Sequence, residues 1–215
     1  GASVDGSTFI TYCADSHIRY GELYFTPAAD WPQGSMRICY DRSTNAPRGS
    51  VPQPPHTYQV LGYINENQVA LGETTFGGRE DLIDPSLMFI ALERSRTARE
   101  AIKIMANLVE EYGYGSDGES FSISDANEVW HMEIMPKGFT PKLNQEGDTI
   151  NADRGAVWVA IRIPDGYISG HANAARITTF PLRDGRKSIT DKDWKKLDRP
   201  EVEGIYKHDV IDFAR

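Results

Sequence analysis

Apolar and polar positions alternate through much of this chain, and each alternating run predicts a strand. TYQVLGYI and QVALGETTF read as two strands about a short turn at Asn65-Glu66-Asn67. ESFSIS and EVWHMEIM form a second such pair about Asp125-Ala126-Asn127, and AVWVAIRI with YISG a third about Pro164-Asp165-Gly166. Between the first and second pairs the period lengthens. Asp84-Pro85 supplies an N-cap followed by proline at the first helical position, so SLMFIALERSR is predicted as a helix. Thr97-Ala98-Arg99-Glu100 then has capping-box spacing. Behind it Ala101, Ile102, Met105, Leu108, Val109 and Tyr112 fall on one helical face, and Gly113 stands where a C-cap glycine would. Hairpins interrupted by a helix pair predict an α+β layered domain, since a parallel sheet would need strands and helices to alternate singly.

The remaining stretches carry weaker patterns. At the start, Asp5-Gly6 is a tight-turn pair and Phe9-Ile10-Thr11-Tyr12 reads as the outgoing strand of a hairpin whose incoming strand is missing. DVIDFAR, at the other end, reads as the beginning of a helix, so the chain is expected to be truncated at both ends. Residues 26 to 57 are dense in proline with little periodicity and are predicted as an irregular surface excursion. RDGRKSITDKDWKKLDRP interleaves Asp with Lys and Arg, which predicts a solvated loop and helix face.

Composition narrows the functional classes. With 215 residues and 40% apolar content the chain can bury a proper core as one domain. A formal charge of −8 and a pI near 5.1 argue against a nucleic-acid or anionic-membrane partner, and no apolar run is long enough to span a bilayer. Cys13 and Cys39 cannot by themselves make a disulfide framework or a Cys-based zinc site. Gly113-Tyr114-Gly115-Ser116-Asp117-Gly118 has the spacing of a dinucleotide fingerprint, but it follows a predicted helix and leads into a strand, the reverse of what that fingerprint needs. The histidines at 17, 56, 131, 171 and 208 lack the close spacing of helical metal ligands, and His131 reads as a satisfied sheet residue. Neither a metal nor an organic cofactor is expected.

Four stretches carry a resemblance. GASVDGSTFITYCADSH, GYINENQVALGETTFGGR, TAREAIKIMANLVEEYGYGSDGESFSISDANEVWHMEI and GAVWVAIRIPDGYISGHANAARI occur in an order that resembles the dipeptidase family of N-terminal-nucleophile cysteine hydrolases. Residues 139 to 154 and the proline-rich segment are the least family-like. The resemblance implies a four-layer αββα sandwich, with two antiparallel sheets between helical layers, of which residues 1 to 215 would be the N-terminal portion of a single catalytic domain. It also implies a mechanism similar to that of bile-salt and penicillin acylases. A mature N-terminal Cys attacks an amide carbonyl and its own α-amine is the base; in this family the Cys heads the strand that is missing before Gly1.

The same resemblance assigns roles by position. Asp15 falls where related acylases place an acidic residue beside the nucleophile and its amine; a turn Asp is the alternative. Tyr12 stands where those acylases usually carry Arg, a departure that bears on how substrate is held. Asn173 matches an oxyanion-hole amide, with a turn Asn as the alternative reading. Thr75 matches a second oxyanion contributor acting through its backbone N–H. Arg176 is a candidate for a peptide carboxylate and Glu73 for a substrate amine. Cys13 has a residue on its N-side, so it offers no free amine and is expected as a buried strand cysteine. No nucleophile is expected within the chain. The partners expected are short peptides, with homo-oligomerisation or association with the missing part of the chain left open; localisation is also left open, export to the periplasm or outside the cell being one route if a signal or propeptide preceded the Cys. A catalytically inactive or binding-only fragment and an acylase of non-peptide amides are the rival readings.

Overall fold

A computed structural model describes residues 3–13, 23–40, 46–76, 86–114, 118–138, 140–143, 145, 147, 149–152, 155–180 and 184–210. In chain order the elements are β1 (Phe25–Thr26), β2 (Ala29–Asp30), β3 (Met36–Tyr40), β4 (Pro47–Pro52), β5 (His56–Thr57), β6 (Val60–Leu61), β7 (Ile64–Asn65), β8 (Ala70–Phe76), α1 (Ser86–Arg94) and α2 (Ala98–Tyr112). There follow β9 (Gly118–Ser124), β10 (Val129–Pro136), β11 (Pro141–Leu143), β12 (Thr149–Asn151), β13 (Ala156–Arg162), β14 (Ser188–Thr190), a 3-10 turn at Trp194–Lys196 and β15 (Gly204–Tyr206). Nine of the described strands make one sheet in the order β1-β6-β7-β8-β9-β10-β13-β15-β14. Its pairs are antiparallel except for β14 with β15.

The heart of the sheet is the long ladder β8-β9-β10-β13, and its register sorts the side chains. Residues paired across strands share a face. Trp130 pairs with Ile123, Met132 with Phe121 and Ala160, and Ile134 with Trp158, so these apolar positions line one side together. Both helices pack on that side through Met88 and Leu92 of α1 and Ala98, Ala101, Ile102 and Met105 of α2. Full burial of each larger side chain stabilises the fold by about 1.5–3 kcal/mol. The capping box starts α2 much as predicted. Thr97 accepts the Glu100 N–H at 3.1 Å, while Glu100 reaches back to the Arg96 N–H at 2.9 Å, one residue earlier than the ideal box. Gly113 closes the helix with φ +89°.

One buried cation ties this face together. Arg99 of α2 uses all five of its N–H donors: Nε and Nη2 grip Glu128 at 2.5 and 2.9 Å, and the others reach the carbonyls of Leu197, Arg199 and Val202. Its guanidinium lies 5.1 Å from the centre of the Trp130 ring.

Several predicted elements differ. TYQVLGYI is not one strand: Gly62, at φ +58°, turns β6 back into β7, with Leu61 facing Ile64 across the turn. The proline-rich excursion holds the β3–β4 hairpin, and Cys39 and Val51 pack on Ile90 of α1, so prolines at strand ends and turns did not prevent pairing. Leu108 and Tyr112 turn partly toward this hairpin. YISG forms no strand. Tyr167 and Ile168 are exposed, because β13 already has β10 on one side and β15 on the other. Within the sign-mixed run, Ser188, Ile189 and Thr190 are buried as β14, since the charges flank an apolar centre. From Thr8 to Cys13 burial alternates, with Thr8, Ile10 and Tyr12 half-buried between exposed neighbours, but no described strand pairs with this stretch. Asp84-Pro85 and the last five residues of DVIDFAR lie outside the described residues. The architecture is thus a mixed α/β fold, one large mixed sheet with two helices on one face.

Candidate active site

The face of the ladder opposite the helices is divided. Toward β13 and β15 it is apolar, with Val157, Val159 and Tyr206 packed under Ile177 and Phe180. Toward β8, β9 and β10 it is polar. Ser120 pairs with Glu133 and Ser122 with His131, and Thr74 pairs with Ser120 on the next strand. Gly72 lies in the same row, where a Cβ would meet the Cβ of Tyr12 at 3.0 Å, so the absent side chain lets the N-terminal segment approach the sheet.

A single segment, residues 171–177, crosses this polar floor and is fastened to three adjacent strands. The Asn173 backbone N–H donates to Thr74 Oγ1 at 3.0 Å and its side-chain Nδ2 to the Thr75 carbonyl at 2.8 Å, both on β8. His171 Nε2 lies 2.9 Å from Ser122 Oγ on β9. The backbone N–H groups of Arg176 and Ile177 both donate to Glu133 Oε1 on β10, the latter at 3.1 Å. Asn173 has φ +47°, a left-handed conformation that Asn tolerates better than most residues. This turn is what lets its main chain and its side chain both face the end of β8.

Glu133 also takes a contact of 3.1 Å from His131 Nε2. Burial raises its pKa, but the bonds from His131, Arg176 and Ile177 outweigh that and hold the carboxyl below its ordinary range. His171 shifts downward because it is desolvated, and the neighbouring His131, 4.8 Å away ring to ring and edge-on, adds to this. The Nδ1 atoms of both rings are buried with no hydrogen-bond partner among the described residues. Glu73 and Thr75 carry the register of the helix face, paired with Phe121 and Glu119; Glu73 Oε1 accepts the Tyr12 hydroxyl at 2.5 Å, and Thr75 Oγ1 bonds Glu119 at 3.1 Å. Among the described residues no three His, Cys, Asp or Glu side chains are arranged to hold a metal ion, and no helix is long and apolar enough to cross a membrane.

Of the residues singled out from sequence, Asn173 and Thr75 are in direct contact, Glu73 lies two residues before Thr75 on the same strand, and the exposed Arg176 is on the segment that carries Asn173. Asp15 lies outside the described residues. Cys13 is exposed, not buried, because the alternation of the N-terminal segment turns Tyr12 toward the sheet and Cys13 away. Sequence reasoning passed over Glu133, His171 and Ser122. The signal for Ser122 and Glu133 was present: the polar positions of ESFSIS and EVWHMEIM alternate in step with the apolar ones, and a hairpin places both sets opposite one another.

The sequence of the chain matches Peptidase family C69 over residues 1–202. It therefore belongs to that family, the dipeptidase family of N-terminal-nucleophile cysteine hydrolases that its four stretches resemble. A protein named probable dipeptidase from Latilactobacillus sakei is 30% identical over 210 residues, covering 85% of this chain and 39% of the relative. Probable dipeptidase B from Streptococcus pyogenes serotype M1 is 24% identical over 152 residues, covering 65% of this chain and 26% of the relative. The chain thus spans well under half the length of these relatives. Its family is one of peptidases, and the sheet face just described is its candidate site.

Proposed function

We propose that this chain is the N-terminal portion of one catalytic domain that hydrolyses dipeptides and other short peptides, with a Cys preceding Gly1 as nucleophile. The observation that carries this reading is the bond from Asn173 to Thr75. The two residues are far apart in sequence and were assigned to one oxyanion hole by separate stretches of resemblance. The Asn173 amide has two N–H groups. One is held by the Thr75 carbonyl, which fixes the amide plane and leaves the other for an incoming oxygen.

The chemistry follows from pairing a thiol with an α-amine on one residue. An α-amine has a pKa of roughly 7.7–8.0, so at neutral pH it can take the thiol proton and later return it. The thiolate attacks the peptide carbonyl carbon, and the resulting oxyanion receives the free Asn173 N–H and the backbone N–H of Thr75. Collapse breaks the C–N bond. The departing amine takes the proton held by the α-ammonium, leaving a thioester. Water attacks this acyl-enzyme with the α-amine again as base; the C–S bond breaks, the carboxylic acid leaves, and the α-ammonium returns its proton to the thiolate. Asp15 holds the α-amine in place, Glu73 with its Tyr12 partner meets the substrate amine, and Arg176 meets its carboxylate. In the complete αββα domain, a second sheet would lie over the polar face and exclude water from the reacting carbonyl.

The test is to express the 1–215 chain beside the full-length protein with a free N-terminal Cys and to assay both on dipeptides and on N-acyl amides. Dipeptide hydrolysis by the full-length protein only is expected. Equal activity in the short chain would refute the N-terminal nucleophile, preference for N-acyl amides would make the protein an acylase, and cleavage of neither would leave a binding protein.

A further inference from the structure

We propose that Glu133 is a positioning residue for the reaction, acting through the segment that carries Asn173. The proposal rests on the reading of Asn173 as an oxyanion donor. Glu133 Oε1 is the common acceptor for the Arg176 and Ile177 backbone N–H groups, three and four residues beyond Asn173. Thr74 and Thr75 hold the segment at Asn173 itself, and Ser122 holds it at His171. Removal of the Glu133 contact frees the segment on the C-terminal side of Asn173 and leaves the left-handed turn at that residue without an anchor behind it. Two further features argue that this is more than loop packing. The carboxylate is largely buried, at 11% side-chain exposure, and its partners there are hydrogen-bond donors: His131 Nε2, the two backbone N–H groups and, at 3.5 Å, the Ser120 hydroxyl. Glu133 also stands in the sheet itself, on the strand between β9 and β13, so the acceptor is fixed by a ladder on both sides. A rigid strand is a more exact reference for an amide than another loop would be.

A donor misplaced by about 1 Å can cost on the order of 100-fold in rate while substrate binding is kept. Glu133→Ala in the full-length protein is therefore expected to lower kcat by about 10- to 100-fold with KM nearly unchanged. Glu133→Gln keeps an oxygen at the same place and is expected to recover part of that loss. The decisive measurement is a double-mutant cycle. If Glu133 acts through Asn173, the Glu133→Ala, Asn173→Ala protein turns over no more slowly than Asn173→Ala alone; losses that multiply would overturn the proposal. Hydrogen exchange separates this from failure of the oxyanion reading. In Glu133→Gln and Glu133→Ala the Arg176 and Ile177 amides should exchange faster while the β9 and β10 amides keep their protection. Unchanged protection at Arg176 and Ile177 overturns the positioning role whatever the kinetics. Wild-type turnover in Asn173→Ala, with faster exchange in the Glu133 variants, would instead remove Asn173 from the oxyanion hole and leave Glu133 as the anchor of the segment.

Discussion

The two faces of the β8-β9-β10-β13 ladder use the same strands for different ends. On the helix side Ile123, Trp130, Met132, Ile134 and Trp158 meet α1 and α2 in one continuous apolar cluster. On the other side, one residue along each strand, stand Ser120, Ser122, His131 and Glu133 under a segment that meets them through hydrogen bonds. Burying those polar groups costs free energy that their hydrogen bonds offset, except at the Nδ1 atoms of His131 and His171, buried without a partner among the described residues. A sheet built for stability alone would have put valines there, as β13 does with Val157 and Val159. If the polar half is the site proposed above, it is where the fold gives up stability for chemistry, while the helix face supplies stability. The comparison predicts that variants on the first face move stability and variants on the second move turnover.

The largest effect is expected on the helix side. Arg99→Met removes five bonds, leaves three carbonyls without the cation that satisfies them, and leaves Glu128 with the Arg162 cation alone, at 3.2 Å, among the described residues. Breaking one partner of such a buried pair costs about 3–5 kcal/mol, which should appear as a lower denaturant midpoint in equilibrium unfolding. A loss near zero would mean that water replaces the guanidinium. On the polar side Asn173→Ala in the full-length protein should lower kcat by roughly 100- to 1,000-fold, about 2.7–4 kcal/mol, with its midpoint nearly unchanged. A raised KM at constant kcat would make Asn173 a contact of bound substrate instead.

Gly118→Ala probes the end of the polar face, where the register puts Gly118 and Phe76 in the row of Ser120 and Thr74. A Cβ at Gly118 would lie 2.2 Å from Cε2 of Phe76, its partner across β8 and β9, so the ring must move. Overpacking of this kind costs about 1–3 kcal/mol. Because Phe76 follows Thr75 on β8, a smaller loss of turnover should accompany the loss of stability. A stability change without any effect on turnover would show that the end of β8 absorbs the shift.

How much of this was legible depends on whether a local pattern was enough. The β9–β10 hairpin and α2 could be read directly, because their period, turn residues and caps all lie within a few positions of one another. YISG failed since its alternation is genuine but β13 has no free side to pair with, a fact set by β15 more than thirty residues later. The proline-rich excursion failed for the converse reason: β3 and β4 gain from packing Cys39 and Val51 on Ile90, which no window of sequence contains. In the site, Asn173, Thr75 and Glu73 were reached through resemblance. Glu133 was missed because a Glu in a strand reads as a solvent-facing position until the covering segment is seen.

The smallest expected effect is on the pH dependence of stability, and its sign follows from the same polar face. His171 is desolvated there and sits beside His131; Arg176 also opposes its protonation, while Glu133 and Glu73 favour it, and the balance lowers its pKa from 6.5. The unfolded chain therefore takes up a proton before the native one does. Stability from this group is fully present above about 6.5 and is lost as pH falls through the lowered native value. Glu128 and Glu133 behave alike in a lower window. Burial raises both, but Arg99 at Glu128, and His131 with the backbone N–H groups at Glu133, more than compensate, so their stabilisation is lost only as pH falls below about 4.5. Thermal unfolding of the full-length protein from pH 8 to pH 3 should show a shallow decline beginning near 6.5 and a steeper one below 4.5. His171→Asn should abolish the first and keep the second. A shallow decline that survives the substitution would assign it to another histidine, and a wild-type curve flat down to 4.5 would mean that the segment opens enough for water to reach His171 in the native state.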